Sequence, residues 1–150
     1  MTEARAADKE ALAAVGEIIR RAGHELRNAL SGVAVNVEVV RTRSERHASP
    51  DEVAPFAERA RLQAGVATTL NDGLLALVGS VLTAASDGTL KSVRPRDGQT
   101  QTELMIYGDR AAAIVSDIER LAGLISVTVE QRGQRVILKV LPEGKSDSKD

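Results

Sequence analysis

The sequence has no cysteine and no tryptophan, and Phe56 and Tyr107 are its only Phe, Tyr or Trp residues. The missing thiols exclude disulfides and thiolate chemistry, and they leave the redox compartment open. With so few aromatic residues, a core must be assembled from Ala, Val, Leu and Ile. Small aliphatic side chains pack well between close helices or against a thin sheet, but fill a deep globular core poorly. A dominant charge is lacking too, since twenty basic against twenty-one acidic residues leave a formal charge of -1. That balance argues against a nucleic-acid coat or a polybasic membrane face. The opening MTEARAADKEALAA carries acids among its bases and no apolar stretch, so it does not read as a secretory signal. No uninterrupted apolar run approaches the ~20 residues of a membrane span. A soluble cytoplasmic protein, with neither membrane nor nucleic acid as partner, is expected.

What is present is helical period. From about 7 to 46, Leu12, Val15, Ile19, Ala22, Leu26, Ala29, Val33, Val37 and Val40 recur at spacings of three and four. This heptad-like stripe predicts a seam between long helices, with Asp8 as a candidate cap and Ala7 or Thr2 serving a differently placed end. Gly16, Gly23 and Gly32 interrupt it, each costing about 1 kcal/mol relative to Ala. They suggest close helix approach or access to a neighbouring group. The period breaks at ERHASPDE, where Ser49, Pro50, Asp51 and Glu52 read as a helix start. A second amphipathic run follows through Val53, Phe56, Ala60, Gln63, Val66, Leu70, Leu74, Leu77 and Val81, with a stop at Ser86-Asp87-Gly88. Two long helices joined by a short turn lie antiparallel. A lone hairpin leaves half of its apolar surface wet, and pairing two across a dyad makes a four-helix bundle.

After Leu90 the character changes. KSVRPRDGQTQ reads as a linker, TELMIYG as a candidate strand, and DRAAAIVSDIERLAG as a three-turn helix capped by Asp109. In the hairpin that follows, Ile125, Val127 and Val129 alternate before Gly133, and Val136, Leu138 and Val140 after it. The expected class is mainly α: an antiparallel helical hairpin forming a dimeric four-helix bundle, followed by a small α/β lobe. The expected divisions are a hairpin over 7–88, a linker over 89–101, a β-α-β-β lobe over 102–142 and a disordered tail over 143–150.

His24 stands apart from the apolar stripe, about 200° round the helix from Leu26. Its companions are Glu17, Arg20, Arg27, Asn28 and Ser31. Neutral imidazole is a competent nucleophile near neutral pH. Glu25 is placed in sequence to accept a ring proton, and Asn28, one turn on, to hold a phosphoryl oxygen or a water. Arg20 and Arg27 offer positive field or a hold on an acidic partner. Most isolated histidines on a helix surface do no chemistry, and His47, in the inter-helix turn, is read that way. Two histidines without a third ligand give no expected metal site.

The segment GHELRNALSGVAVNVEVVR resembles the phosphoacceptor box of the sensor histidine kinases, in their dimerisation and histidine-phosphotransfer domain. The resemblance implies that His24 is the phosphorylated residue and Glu25 the acid that assists the kinase step. It puts Asn28 where the family carries a residue implicated in dephosphorylating the receiver. Ala29 replaces the usual proline. YGDRAAAIVSDIERLAG and the hairpin after it resemble a shortened ATP-binding domain. Asp117 and Glu119 stand where that domain has its asparagine-rich box, and LPEGKSDSKD where its glycine-rich motif follows.

Without a backbone cradle, polyphosphate binding is not expected. The resemblance therefore implies a homodimeric phosphotransferase without ATP, exchanging phosphoryl between His24 and the aspartate of a response-regulator receiver domain. This chain needs no bound cofactor, with Mg²⁺ expected on the receiver. Two alternatives share these residues: a receiver phosphatase using Asn28 and water, and a non-catalytic dimeric adaptor or pseudokinase.

Overall fold

A computed structural model of the chain describes residues 2–93 and 100–141. The chain is mainly helical, with two long helices, α1 (Thr2–Glu45) and α2 (Pro50–Ser86), forming an antiparallel hairpin. The lobe then adds strands β1 (Lys91–Val93) and β2 (Thr100–Met105), helix α3 (Ala111–Leu124), and strands β3 (Val127–Arg132) and β4 (Arg135–Val140). The sheet is antiparallel throughout, in the order β1-β2-β4-β3.

Local chemistry explains most element ends. At the start of α2 the Ser49 backbone N–H and hydroxyl both donate to Glu52 Oε2, at 2.8 and 3.0 Å. That contact satisfies a helix-end donor and places a carboxylate at the positive end of the dipole. The Arg43 guanidinium closes the turn, 4.5 Å from the Phe56 ring centroid and bonded to the Glu52 carbonyl. The α2 stop falls at the expected place, with Gly88 at φ 69. Gly133, at φ 63, supplies the positive φ of the two-residue β3–β4 turn. Val136, Leu138 and Val140 are buried in alternation, as their period required.

Several boundaries differ from the sequence reading. Helix α1 begins at Thr2, the earliest of the ends considered, and not at Asp8. The α3 cap position is Arg110, one residue beyond Asp109. Part of the expected linker is strand β1, whose Lys91, Ser92 and Val93 pair with Glu103, Thr102 and Gln101. Three residues carry too little periodicity to announce a strand; β2 supplies the ladder that makes them one. Thr100 and Gln101, also inside the expected linker, open β2, while linker residues 94–99 and the tail 143–150 lie outside the described residues.

One core unites hairpin and lobe. Ala11, Val15, Ile18 and Ala22 of α1 join Leu70, Leu77, Val81 and Ala84 of α2, with Val115, Ile118 and Leu121 of α3 and Leu104, Val136 and Leu138 of the sheet. Gly73 makes the α2–α3 contact possible. A Cβ there would sit 2.4 Å from Leu121 Cβ and 2.9 Å from the Asp117 carbonyl oxygen. Among the described residues, α2 alone is long and apolar enough, by length and composition, to cross a bilayer, and 33% of that stretch is buried in the molecule. The expectation that no uninterrupted apolar run approaches ~20 residues concerns a different property and stands. It considered unbroken apolar runs, whereas the Gly, Ala, Ser and Thr that interrupt α2 subtract little from its hydropathy.

The expected single seam on α1 divides into two rows. Val15, Ala22 and Ala29 are buried, while Leu12 (53% exposed), Ile19 (40%) and Val37 (52%) are not, and Leu30 joins them at 54%. On α2, Leu75, Val78 and Leu82 are likewise exposed. Going round each helix, the exposed row lies roughly 160° from the residue that meets the lobe, Arg21 in α1 and Gly73 in α2. The rotational sense is the same in both. Because the helices are antiparallel, both rows turn to the same side of the hairpin, although Leu75 also edges the cleft between α2 and the lobe.

Candidate functional site

His24 lies near the middle of α1 and is exposed. It belongs neither to the buried face nor to the exposed apolar row, lying about 120–140° from the latter. Arg20, Arg27, Asn28 and Ser31 are exposed on the same flank, and Glu17 is half-buried beside them. The polar grouping expected from sequence is therefore brought together, because 3.6-residue periodicity leaves it little choice. Glu25 is half-buried, about 100° round from His24. No hydrogen bond joins the two among the described residues, so the ring nitrogens of His24 are open to solvent and to a partner.

An ion-pair cluster lies one to two turns before His24. Glu17 accepts from Arg20 Nε and Nη2 at 3.0 and 2.9 Å, and from Arg21 Nε at 2.9 Å. These two guanidinium groups, Arg20 first, hold the Glu17 carboxyl down at about 2. Arg21 is only 8% exposed. Its other nitrogens reach the lobe, donating to the Ser126 carbonyl at 3.3 Å and the Leu141 carbonyl at 2.6 Å. Ser126, at φ 56, also accepts the Leu141 N–H at 3.4 Å. A second tie runs from the buried Thr102 hydroxyl to the Ala11 carbonyl at 3.3 Å. The lobe is thus fastened to α1 immediately before the histidine.

Sequence reasoning missed Arg21. The available signal was its place after Ala14 and Ile18 on a row of otherwise apolar residues, where a charge must find partners. The glycines resolve into two kinds. Gly32 is a close approach, since a Cβ there would meet the Gln63 side chain at 3.2 Å. A Cβ at Gly16 or Gly23 would meet nothing within 4 Å. Gly23 instead opens a shallow groove with Leu26, Leu30 and Ala34, rimmed by Arg27 and Ser31.

His47, at φ 60 in the turn, is exposed and shares none of these neighbours. Among the described residues, no group of three or more His, Asp or Glu comes together to hold a metal ion. What the site offers chemically is one accessible nucleophile, an amide one turn away and fixed positive charge. No family model matches the chain, and no curated protein matches it closely enough to count as a relative.

Proposed function

We propose that this protein is a cytoplasmic histidine phosphotransferase of a two-component phosphorelay, working as a homodimer. It exchanges a phosphoryl group between His24 and the aspartate of a response-regulator receiver domain, without drawing on ATP. The observation that carries this reading is the position of His24: exposed at mid-helix, off both apolar faces, with Asn28 one turn on. The resemblance of the surrounding segment to the kinase phosphoacceptor box supports it. The homodimer is supported by the exposed apolar rows of α1 and α2, which a second hairpin would cover.

In the transfer, the lone pair of a neutral His24 nitrogen attacks phosphorus of the receiver's acyl phosphate. The P–N bond forms as the P–O bond to the aspartate breaks, and the aspartate leaves as carboxylate. The ring keeps its proton on the other nitrogen, and the resulting positive charge offsets the phosphoryl charge. Mg²⁺ held by the receiver neutralises charge on the phosphoryl oxygens. Arg20 and Arg27 supply positive field on the same flank, and Asn28 holds an oxygen or a water.

The test incubates the protein with labelled phosphorylated receivers and, separately, with phosphoramidate, which phosphorylates accessible imidazole without a partner. Acid-labile, alkali-stable phosphate on His24 from a receiver, absent in His24→Gln, is the expected result. Phosphoramidate labelling of His24 with no transfer from any receiver would overturn the transferase reading. Receiver dephosphorylation that survives His24→Gln and is lost in Asn28→Ala would install the phosphatase in its place.

A further inference from the structure

Between α2 and the lobe lies a cleft of about 530 Å³, away from the His24 flank. That volume is within the range of small-molecule sites. The α3 wall presents Arg110, Ile114 and Asp117, spaced four and three residues apart and so on one face. The α2 wall presents Asp72, Ala76, Gly79, Ser80 and Thr83 by the same logic, and the end of β2 contributes Met105 and Ile106.

Charge in this cleft is separated. Asp72 adjoins Gly73, whose Cβ position is 2.9 Å from the Asp117 carbonyl oxygen, so the two acidic residues share one end. Arg110 lies seven residues before Asp117 along α3, about 10 Å away. Arg20, Arg41 and Arg61 each pair with an acid one turn off, and Arg120 pairs with Asp117 of the cleft itself at 3.7 Å. Asp72 and Arg110, by contrast, have no ion-pair partner among the described residues.

The α2 wall of the cleft offers few free donors. The Ser80 hydroxyl donates to the Ala76 carbonyl at 2.7 Å and the Thr83 hydroxyl to that of Gly79 at 3.0 Å. On that wall methyl and methylene groups face the cleft, and Leu75 and Tyr107 complete its lining. Gly79 keeps that space open, since a Cβ there would meet nothing within 4 Å.

We propose that this cleft binds a small linear zwitterion. Its ammonium group is held by Asp72, its carboxylate by Arg110, and its apolar spacer by Ala76, Gly79, Ile106 and Ile114. The proposal is independent of the chemistry at His24, so His24→Gln binds the same ligand unchanged.

The probe is 8-aminooctanoate, whose charged ends are about 10 Å apart when extended, with octanoate and 8-aminooctanol as single-charge controls. Binding is followed by backbone amide NMR shifts on the full chain. A ligand of this size is expected to bind in about the millimolar range, shifting Gly79, Ile106 and Ile114. Each charged end should be worth about tenfold. Arg110→Gln should then erase the preference over 8-aminooctanol, and Asp72→Asn the preference over octanoate. Gly79→Leu, whose Cβ enters open space, should abolish binding with helical circular dichroism unchanged. Equal affinity for the three compounds, shifts confined to other residues, or no shift at all would overturn the proposal.

Discussion

Arg21, on the third heptad of α1, donates a 2.6 Å hydrogen bond to the carbonyl of Leu141, at the far end of the lobe's last strand. A contact spanning 120 residues ties the hairpin to the sheet just before the candidate phosphoacceptor. It involves a buried charge bonded to neutral carbonyls and to Glu17, so its removal leaves more than one group unsatisfied.

Arg21→Met should therefore loosen the lobe while leaving the hairpin folded. Losing charge-assisted bonds at a buried position costs about 1.5–3 kcal/mol. Amide hydrogen exchange should accelerate in β3 and β4, with little change in α1 and α2 around Phe56. Unaltered exchange in the sheet would refute this role.

Gly73 and Gly79 make opposite predictions from the same residue type in the same helix. Gly73→Ala pushes a methyl group against Leu121 Cβ and the Asp117 carbonyl, backbone-fixed atoms that cannot swing aside. It should cost about 1–3 kcal/mol in chemical denaturation. Gly79→Ala meets open space and should gain about 0.5–1 kcal/mol from helix propensity and reduced chain entropy.

The Glu17 cluster predicts an acid-side dependence. Its carboxyl is depressed from an ordinary 4.5 to about 2 by Arg20 and then Arg21. A depressed carboxyl contributes stability that is complete above the unfolded value and disappears as pH falls through the folded one. The contribution thus fades between 4.5 and about 2. With the Glu17 side chain 34% exposed, solvent screening keeps it small. Urea midpoints should fall less for Glu17→Gln than for the parent between neutral pH and about pH 3.

The proposed dimer has a direct measurement. Sedimentation should give twice the 15.9 kDa chain mass at micromolar concentration. Leu30→Glu combined with Leu75→Glu should give the single-chain mass with helical circular dichroism retained, since both side chains are exposed within one chain. A monomeric parent protein would remove the dimer from the proposal.

The helices and their ends were readable because their causes are local. Period set α1 and α2, Ser49 and Pro50 set the turn, and strand alternation with Gly133 set the β3–β4 hairpin. The exposure of His24 was readable for the same reason: angle round a helix follows from residue number. Strand β1, the division of the α1 seam and the Arg21 contacts were not readable. Each depends on a partner distant in sequence: β2 for the strand, α2 and the lobe for the buried row, and Ser126 and Leu141 for the arginine.

By itself, then, the sequence determined which residues are helical, which face is apolar and which polar group surrounds His24, because backbone geometry converts spacing into direction. Only the tertiary structure decided how that apolar face is shared, with one row spent on α2 and the lobe and another left open. It alone joined Asp72, Arg110 and Asp117 into one cleft, since packing brings together side chains that no local period relates.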